Sequence, residues 1–278
     1  MIRIVTDSAA MLPDELRHRY SIAIVPLTIT VDGREYTEGT DLTTADFYAR
    51  LAAGAEVSTA APAPGAFVDA YRAAATEGVT ALLSVHTGST FSATVSSATV
   101  ATGLVDIPVT LIDTGVASFP VAMAVWSAAE SIADGGSIDD AARIARATAE
   151  RVGSLFVVGI PEVARRGGRF VSVDGDLTPT TVLELASGRL TEVDTAADID
   201  AAIEMMVEHT ARVAHDQPLR VGVGHGDHPS VAEVLVARLA DVPGIVDITL
   251  YEVGPSVGAH TGPGTFGVVY APSEPASD

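Results

Sequence analysis

Apolar residues in the first half of the chain fall in short closed runs, separated by longer stretches with helical spacing. Ile2–Thr6, Ile22–Val31, Ala81–Val85 and Val109–Ile112 are such runs, and each predicts a strand. Pro26 marks an edge or bend in the second. Between them, Ala66–Ala75 and Ser92–Gly103 predict helices. Two Ala-rich helices follow at Val121–Ala133 and Ile138–Val152, the latter with Ser137 as its cap ahead of Asp139 and Asp140. Such alternation predicts a parallel sheet flanked by helices.

The pattern changes near Val152. Leu155–Val158 and Phe170–Val173 read as strands on either side of the turn-like Arg165-Arg166-Gly167-Gly168-Arg169. A hairpin around Ser187-Gly188 follows, then a helix at Ala196–His215, a strand at Leu219–Val223 and a helix at Ser230–Leu239. The strands Val246–Val253 and Gly267–Tyr270 close the series. The expected fold is α/β with two domains: a parallel-sheet, Rossmann-like domain over residues 1–152 and an α+β domain with a mixed or antiparallel sheet over 153–272. Residues 273–278 read as a tail.

Composition narrows the function. Thirty-six acidic residues against 16 basic ones leave a formal charge of −20, which argues against a nucleic-acid partner and against anionic membrane surfaces. With no cysteine, disulfides, thiolate nucleophiles and Cys-bound metals are excluded. The most apolar stretch, Ser118–Ala133, is interrupted by Pro120, Ser127 and Glu130, so no stable membrane insertion is expected. Met1 leads straight into strand-like sequence, and the expected location is cytoplasmic.

The richest segment follows Ala81–Val85, where eight of the thirteen positions from Thr87 to Thr99 carry a hydroxyl. A strand end, a polar loop and a helix start in succession can hold a carboxylate or phosphate, and they serve equally as a surface turn. Val57-Ser58-Thr59-Ala60-Ala61-Pro62-Ala63-Pro64-Gly65 is a second hydroxyl loop before a helix. Asp7-Ser8 and Asp113-Thr114 end strands, where carboxylates either face a ligand crevice or cap helices; capping is the preferred reading. Gly254-Pro255-Ser256-Val257-Gly258 has the spacing of a nucleophile elbow. The residues after it, through Gly264, are too rich in Gly and Pro for the helix an elbow needs, and no acid separates Ser256 from His260. His225-Gly226-Asp227-His228 offers metal-ligand types without a fourth partner and reads better as a helix cap. Gly222-x-Gly224-x-Gly226 misses the dinucleotide-binding spacing.

In order along the chain, these segments resemble the DegV family of bacterial fatty-acid-binding proteins. The resemblance rests on Ile4-Val5-Thr6-Asp7-Ser8, Val25-Pro26-Leu27, Ser58-Thr59-x-x-Pro62, Ser89-x-x-Ser92-x-Thr94, Asp113-Thr114, Gly167-Gly168-Arg169 and His260-x-Gly262-Pro263-Gly264. It implies a two-domain carrier enclosing one long-chain fatty acid, palmitate- or oleate-like, with no cofactor and no chemistry of its own. Thr59 and Ser92 would hold the carboxylate, Ser89 and Thr94 would lie close by, and His260 and Arg169 would stand at the mouth. It also implies presentation of the carboxylate to an ATP-dependent fatty acid kinase. The chain departs from the family pattern at Ala60-Ala61, at Ala93, at Thr180-Thr181 in place of a Lys-Pro pair, and over Glu192–Ala197, where expected basic residues are missing. The rival reading is an acyl hydrolase or transferase using Ser92, His260 and either Asp7 or Asp113. A third is a partner-binding scaffold whose lipid is structural.

Overall fold

The computed structural model describes residues 1–166 and 177–273. The chain opens with β1 (Ile2–Asp7), α1 (Asp14–Arg19) and β2 (Ala23–Val25), followed by β3 (Thr28–Val31), β4 (Arg34–Thr37), α2 (Thr44–Ala52) and β5 (Val57–Ala60). Next come α3 (Pro64–Thr76), β6 (Ala81–His86), α4 (Thr94–Thr102), β7 (Val109–Asp113), α5 (Phe119–Ala133) and α6 (Ile138–Arg151). Then follow β8 (Gly153–Val157), α7 (Pro161–Arg166), β9 (Thr181–Ala186), β10 (Arg189–Thr195) and α8 (Ile199–Asp216). The described chain finishes with β11 (Leu219–His225), α9 (Pro229–Ala240), β12 (Ile245–Glu252), α10 (Pro255–Thr261) and β13 (Phe266–Pro272).

The strands form a parallel sheet ordered β2-β1-β6-β7, a mixed sheet ordered β10-β9-β8-β13-β11-β12, and a small antiparallel sheet ordered β4-β3-β5. The two-domain α/β expectation holds, with a parallel sheet in the first half and a mixed one in the second. Helices α3 and α4 cover one face of the parallel sheet, and α8 and α9 cover one face of the mixed sheet. Helices α5 and α6 lie between the two sheets, touching β6 on one side and β13 on the other.

Burial on both sides explains the composition of α5, which is apolar around nearly its whole circumference, with ten buried residues from Phe119 to Ala129. Helix α6 is amphipathic and starts on the expected Ser137 cap, which forms a capping box with Asp140. Arg220 of β11 reaches across to α5, pairing its guanidinium with both oxygens of Glu130 at 2.6 and 2.8 Å and lying over the Trp126 ring.

Three expectations need correction. Ile22–Val31 is not one strand: after β2 the chain leaves the parallel sheet at Pro26, and β3 pairs with β4 and β5 instead. Val57–Ala60 is not part of a loop but β5, its register set by β3. The segment after Gly254 is helical, since α10 runs Pro255–Thr261 with its proline in the first turn. Phe170–Val173 and residues 274–278 lie outside the described residues.

The glycines of β11 answer to packing. A Cβ at Gly222 would strike the Phe119 ring, and one at Gly224 the Tyr251 ring. Those two rings stack 4.2 Å apart and 8° from parallel, flat against the bare backbone. The near miss for a nucleotide motif is therefore a bed for two aromatics.

Candidate functional site

A cavity of about 310 Å³ lies where β5, the loop after β6, α10 and the mixed sheet meet, a volume within the range of small-ligand sites. Leu155, Phe156, Leu185, Leu190 and Val268 supply apolar wall from the mixed sheet. Thr59, Ser92 and His260 line the same cavity from three separate elements. Thr59 Oγ1 stands 3.1 Å from His260 Nε2, and Ser92 Oγ is 2.7 Å from the buried Thr94 hydroxyl. Thr94 is thus behind Ser92 and off the cavity wall. Ser89 is exposed, also off the wall, and its N–H donates to Asp113 at 3.1 Å. Arg169 lies outside the described residues. Among the described residues on the wall, His260 alone can carry a positive charge.

A helix start offers N–H groups to an anion, but most of those leading into α4 are in use. The N–H groups of Phe91 and Ser92 donate to the Gly88 carbonyl, and that of Thr94 to Ser92 Oγ. Helix α4 begins after Ala93, which provides no side-chain cap. What the loop offers a ligand is the Ser92 hydroxyl.

The loop is held from beneath by a network that the sequence did not disclose. Asp7, fully buried at the end of β1, accepts hydrogen bonds from the Thr87 N–H at 3.0 Å, the Thr87 hydroxyl at 2.9 Å and His86 Nδ1 at 3.0 Å. His86 Nε2 lies 2.6 Å from Ser84 Oγ, which lies 2.8 Å from the Tyr71 hydroxyl. Asp7 therefore caps no helix; it ties β1 to the first residue of the Ser92 loop. Asp113 likewise serves a loop, accepting from Ser89 and Gly115. Gly88 is required there because a Cβ would sit 2.6 Å from the Gly115 backbone. His228 occupies the N-cap position of α9 without a side-chain bond, and no metal-holding group of His, Asp and Glu occurs among the described residues.

Other polar residues of the wall were missed, and their hydroxyls are mostly committed. Thr87 donates to Asp7, Ser154 to the Leu185 carbonyl, Thr261 to that of Val257 and Thr265 to that of Val157. Glu38, just outside the cavity, accepts from the Ser8 hydroxyl at 2.5 Å and the Ser256 N–H at 2.7 Å. Burial raises its carboxyl above the ordinary value of 4.5; the bonds from Ser8 and Ser256 oppose this, and the nearby Asp7 charge adds to it. An acid raised on folding binds its proton more tightly in the native state, so stability falls as pH climbs above about 4.5. Glu38→Gln is expected to flatten that slope in melting temperatures recorded from about pH 4.5 upward. Parallel pH profiles for the two proteins would refute it.

A mostly apolar cavity with a few converging hydroxyls in a two-domain α/β protein has the character of a small-ligand site. Residues 1–273 match the profile described as "Uncharacterised protein, DegV family", and the chain belongs to that family. A DegV domain-containing protein of Streptomyces coelicolor is 34% identical over 273 residues, covering 96% of this chain and 97% of its own length. Among solved structures, a DegV family protein from Thermus thermophilus, described by its fatty acid binding, aligns with a TM-score of 0.88 at 27% identity, over 98% of this chain and 99% of that one. DegV of Bacillus subtilis, described as a fatty acid binding protein, aligns with a TM-score of 0.87 at 25% identity, over 98% and 99%.

Proposed function

We propose that this protein binds one long-chain fatty acid, with the carboxylate among Thr59, Ser92 and His260 and the chain along the apolar wall. The convergence of those three polar groups on one mostly apolar cavity carries the reading. Arg169 joins the headgroup set in this proposal, and Thr94 orients the Ser92 hydroxyl. A monoanionic carboxylate suits neutral donors and one imidazole better than a phosphate dianion, which recruits more cations. Each buried methylene contributes about 0.8 kcal/mol, so the tail supplies most of the affinity.

The protein in this reading is a carrier. Its finer step, presentation of the carboxylate to an ATP-dependent fatty acid kinase, is tested by ATP-dependent acyl-phosphate formation on the bound acid. The hydrolase alternative draws little from the geometry among the described residues. Ser92 pairs with Thr94, Asp7 faces His86 and Asp113 serves loop N–H groups.

Gentle purification, lipid extraction and mass spectrometry form the first test. Finding no fatty acid, and no binding of added palmitate or oleate, would defeat the proposal. Ser92→Ala is expected to weaken palmitate binding by about 1–3 kcal/mol through loss of a headgroup donor. An unchanged dissociation constant would take Ser92 out of the headgroup set.

A further inference from the structure

Helix α10 carries His260 in its last turn, yet no side chain of its own caps the first one. Gly254 stands at the N-cap without a side-chain bond, and Pro255 has no N–H to satisfy. The N–H groups of Val257 and Gly258 both reach the Gly254 carbonyl. That leaves the Ser256 N–H, which needs an acceptor from elsewhere in the fold. Glu38, 218 residues away, supplies it. Its Oε1 accepts from the Ser256 N–H at 2.7 Å, and the Ser256 side chain also donates to the carboxyl. Its other oxygen accepts from the Ser8 hydroxyl at 2.5 Å, and that hydroxyl accepts in turn from the Leu27 N–H. Glu38 is 7% exposed, so the carboxyl is gripped from both sides in a place nearly closed to water.

One small sheet joins Glu38 to the headgroup site. Thr37, which ends β4, lies abreast of Thr28 on β3, and Thr28 abreast of Ala60 on β5. Glu38 and Thr59 each stand one residue from that row. From there they take opposite ends of α10: Glu38 holds Ser256 in the first turn, and Thr59 meets His260 Nε2 at 3.1 Å in the last. The second half of the chain holds the last turn as well, where the Thr261 carbonyl accepts from the Gly159 and Ile160 N–H groups. Without Glu38 the first turn loses its outside acceptor, and the helix is free to swing about its last turn. The His260 ring, about 6 Å along the axis from Ser256, then rotates away from Thr59. Burial opposes ionisation of the Glu38 carboxyl, and its hydrogen bonds offset that only in part. The group is a poor source of stability; what it supplies is placement.

We infer that Glu38 is a positioning residue of the headgroup site, holding Ser256 so that α10 presents the His260 imidazole to the ligand carboxylate beside Thr59. This rests on the fatty-acid reading and adds to it a residue that stands off the cavity wall.

The test is a double-mutant cycle on palmitate affinity with Glu38→Gln and His260→Ala. Glutamine keeps the shape but offers one acceptor oxygen where Glu38 uses two. Glu38→Gln alone is expected to weaken palmitate binding about tenfold. Binding of hexadecanol, which has the same chain without the carboxylate, is expected to stay nearly unchanged. In the His260→Ala background, Glu38→Gln should take almost nothing further from palmitate. Equal losses in the two backgrounds, equal losses for the two ligands, or an unchanged palmitate affinity would each overturn the proposal. If Glu38→Gln does not fold, the unaltered protein still decides. Its Ser256 amide proton is expected to exchange at least about a hundredfold more slowly than in an open chain, and exchange at the open-chain rate would show that no clamp exists. Failure of palmitate to bind the unaltered protein would bring down the fatty-acid reading instead.

Discussion

Asp7→Ala is expected to lower the melting temperature by roughly 10 °C, the largest stability effect of any single change considered for this protein. The carboxylate is fully buried and accepts three hydrogen bonds, from His86 and from both donors of Thr87. Removing it leaves those donors unpaired in a region closed to water, at about 1–3 kcal/mol for each group that cannot find a new partner. A total near 4 kcal/mol is typical when one side of a buried polar network is deleted. In a chain of this length each kcal/mol corresponds to about 2–4 °C. The loss extends to binding, because Thr87 is the first residue of the loop that carries Ser92. Asp7→Asn, which keeps the shape and one acceptor, should lie between. Calorimetry on the three proteins checks the order, and a shift of under about 2 °C for the alanine variant would show that the network relaxes freely.

The second large effect concerns the cavity itself. Val257→Trp places an indole from α10 into space that the proposed acyl chain needs, since Val257 lines the wall. Displacing about four methylenes forfeits roughly 3 kcal/mol, more than a hundredfold in affinity for palmitate. Val257 is only partly buried, so ligand-free stability is expected to change by less than about 1 kcal/mol. Isothermal titration with palmitate measures the loss. Near-normal affinity would mean that the chain does not run past α10.

Much of this architecture could be read in advance where local pattern and burial coincide. The closed apolar run at Ala81–Val85 is β6, buried at every position but its first, and Ser137 caps α6 as its spacing with Asp140 suggests. Elements whose formation depends on distant partners were invisible. Strand β5 is four residues long and exists because β3 offers it an edge. Helix α10 contains Pro255 and Gly258, poor local evidence for a helix. Its glycine is where Phe47 and Tyr48 press closest, and a Cβ there would stand 2.6 Å from the Tyr48 hydroxyl. Within the candidate site, the hydroxyl-rich segments around Thr59 and Ser92 read equally well as a cap and a surface turn, and only the family resemblance singled those two residues out. Asp7 could not be assigned, since its partners His86 and Thr87 stand 79 and 80 residues away.

One helix has a thermodynamic consequence for the whole molecule. Because α5 is wedged between both sheets, Ile4 and Leu83 on one side and Val269 and Ala271 on the other belong to a single cluster of buried side chains. Neither half can melt without exposing that cluster, so heating should give one cooperative endotherm. A guest held in the crevice then stabilises both halves at once, and its occupancy can be followed as an upward displacement of that lone transition.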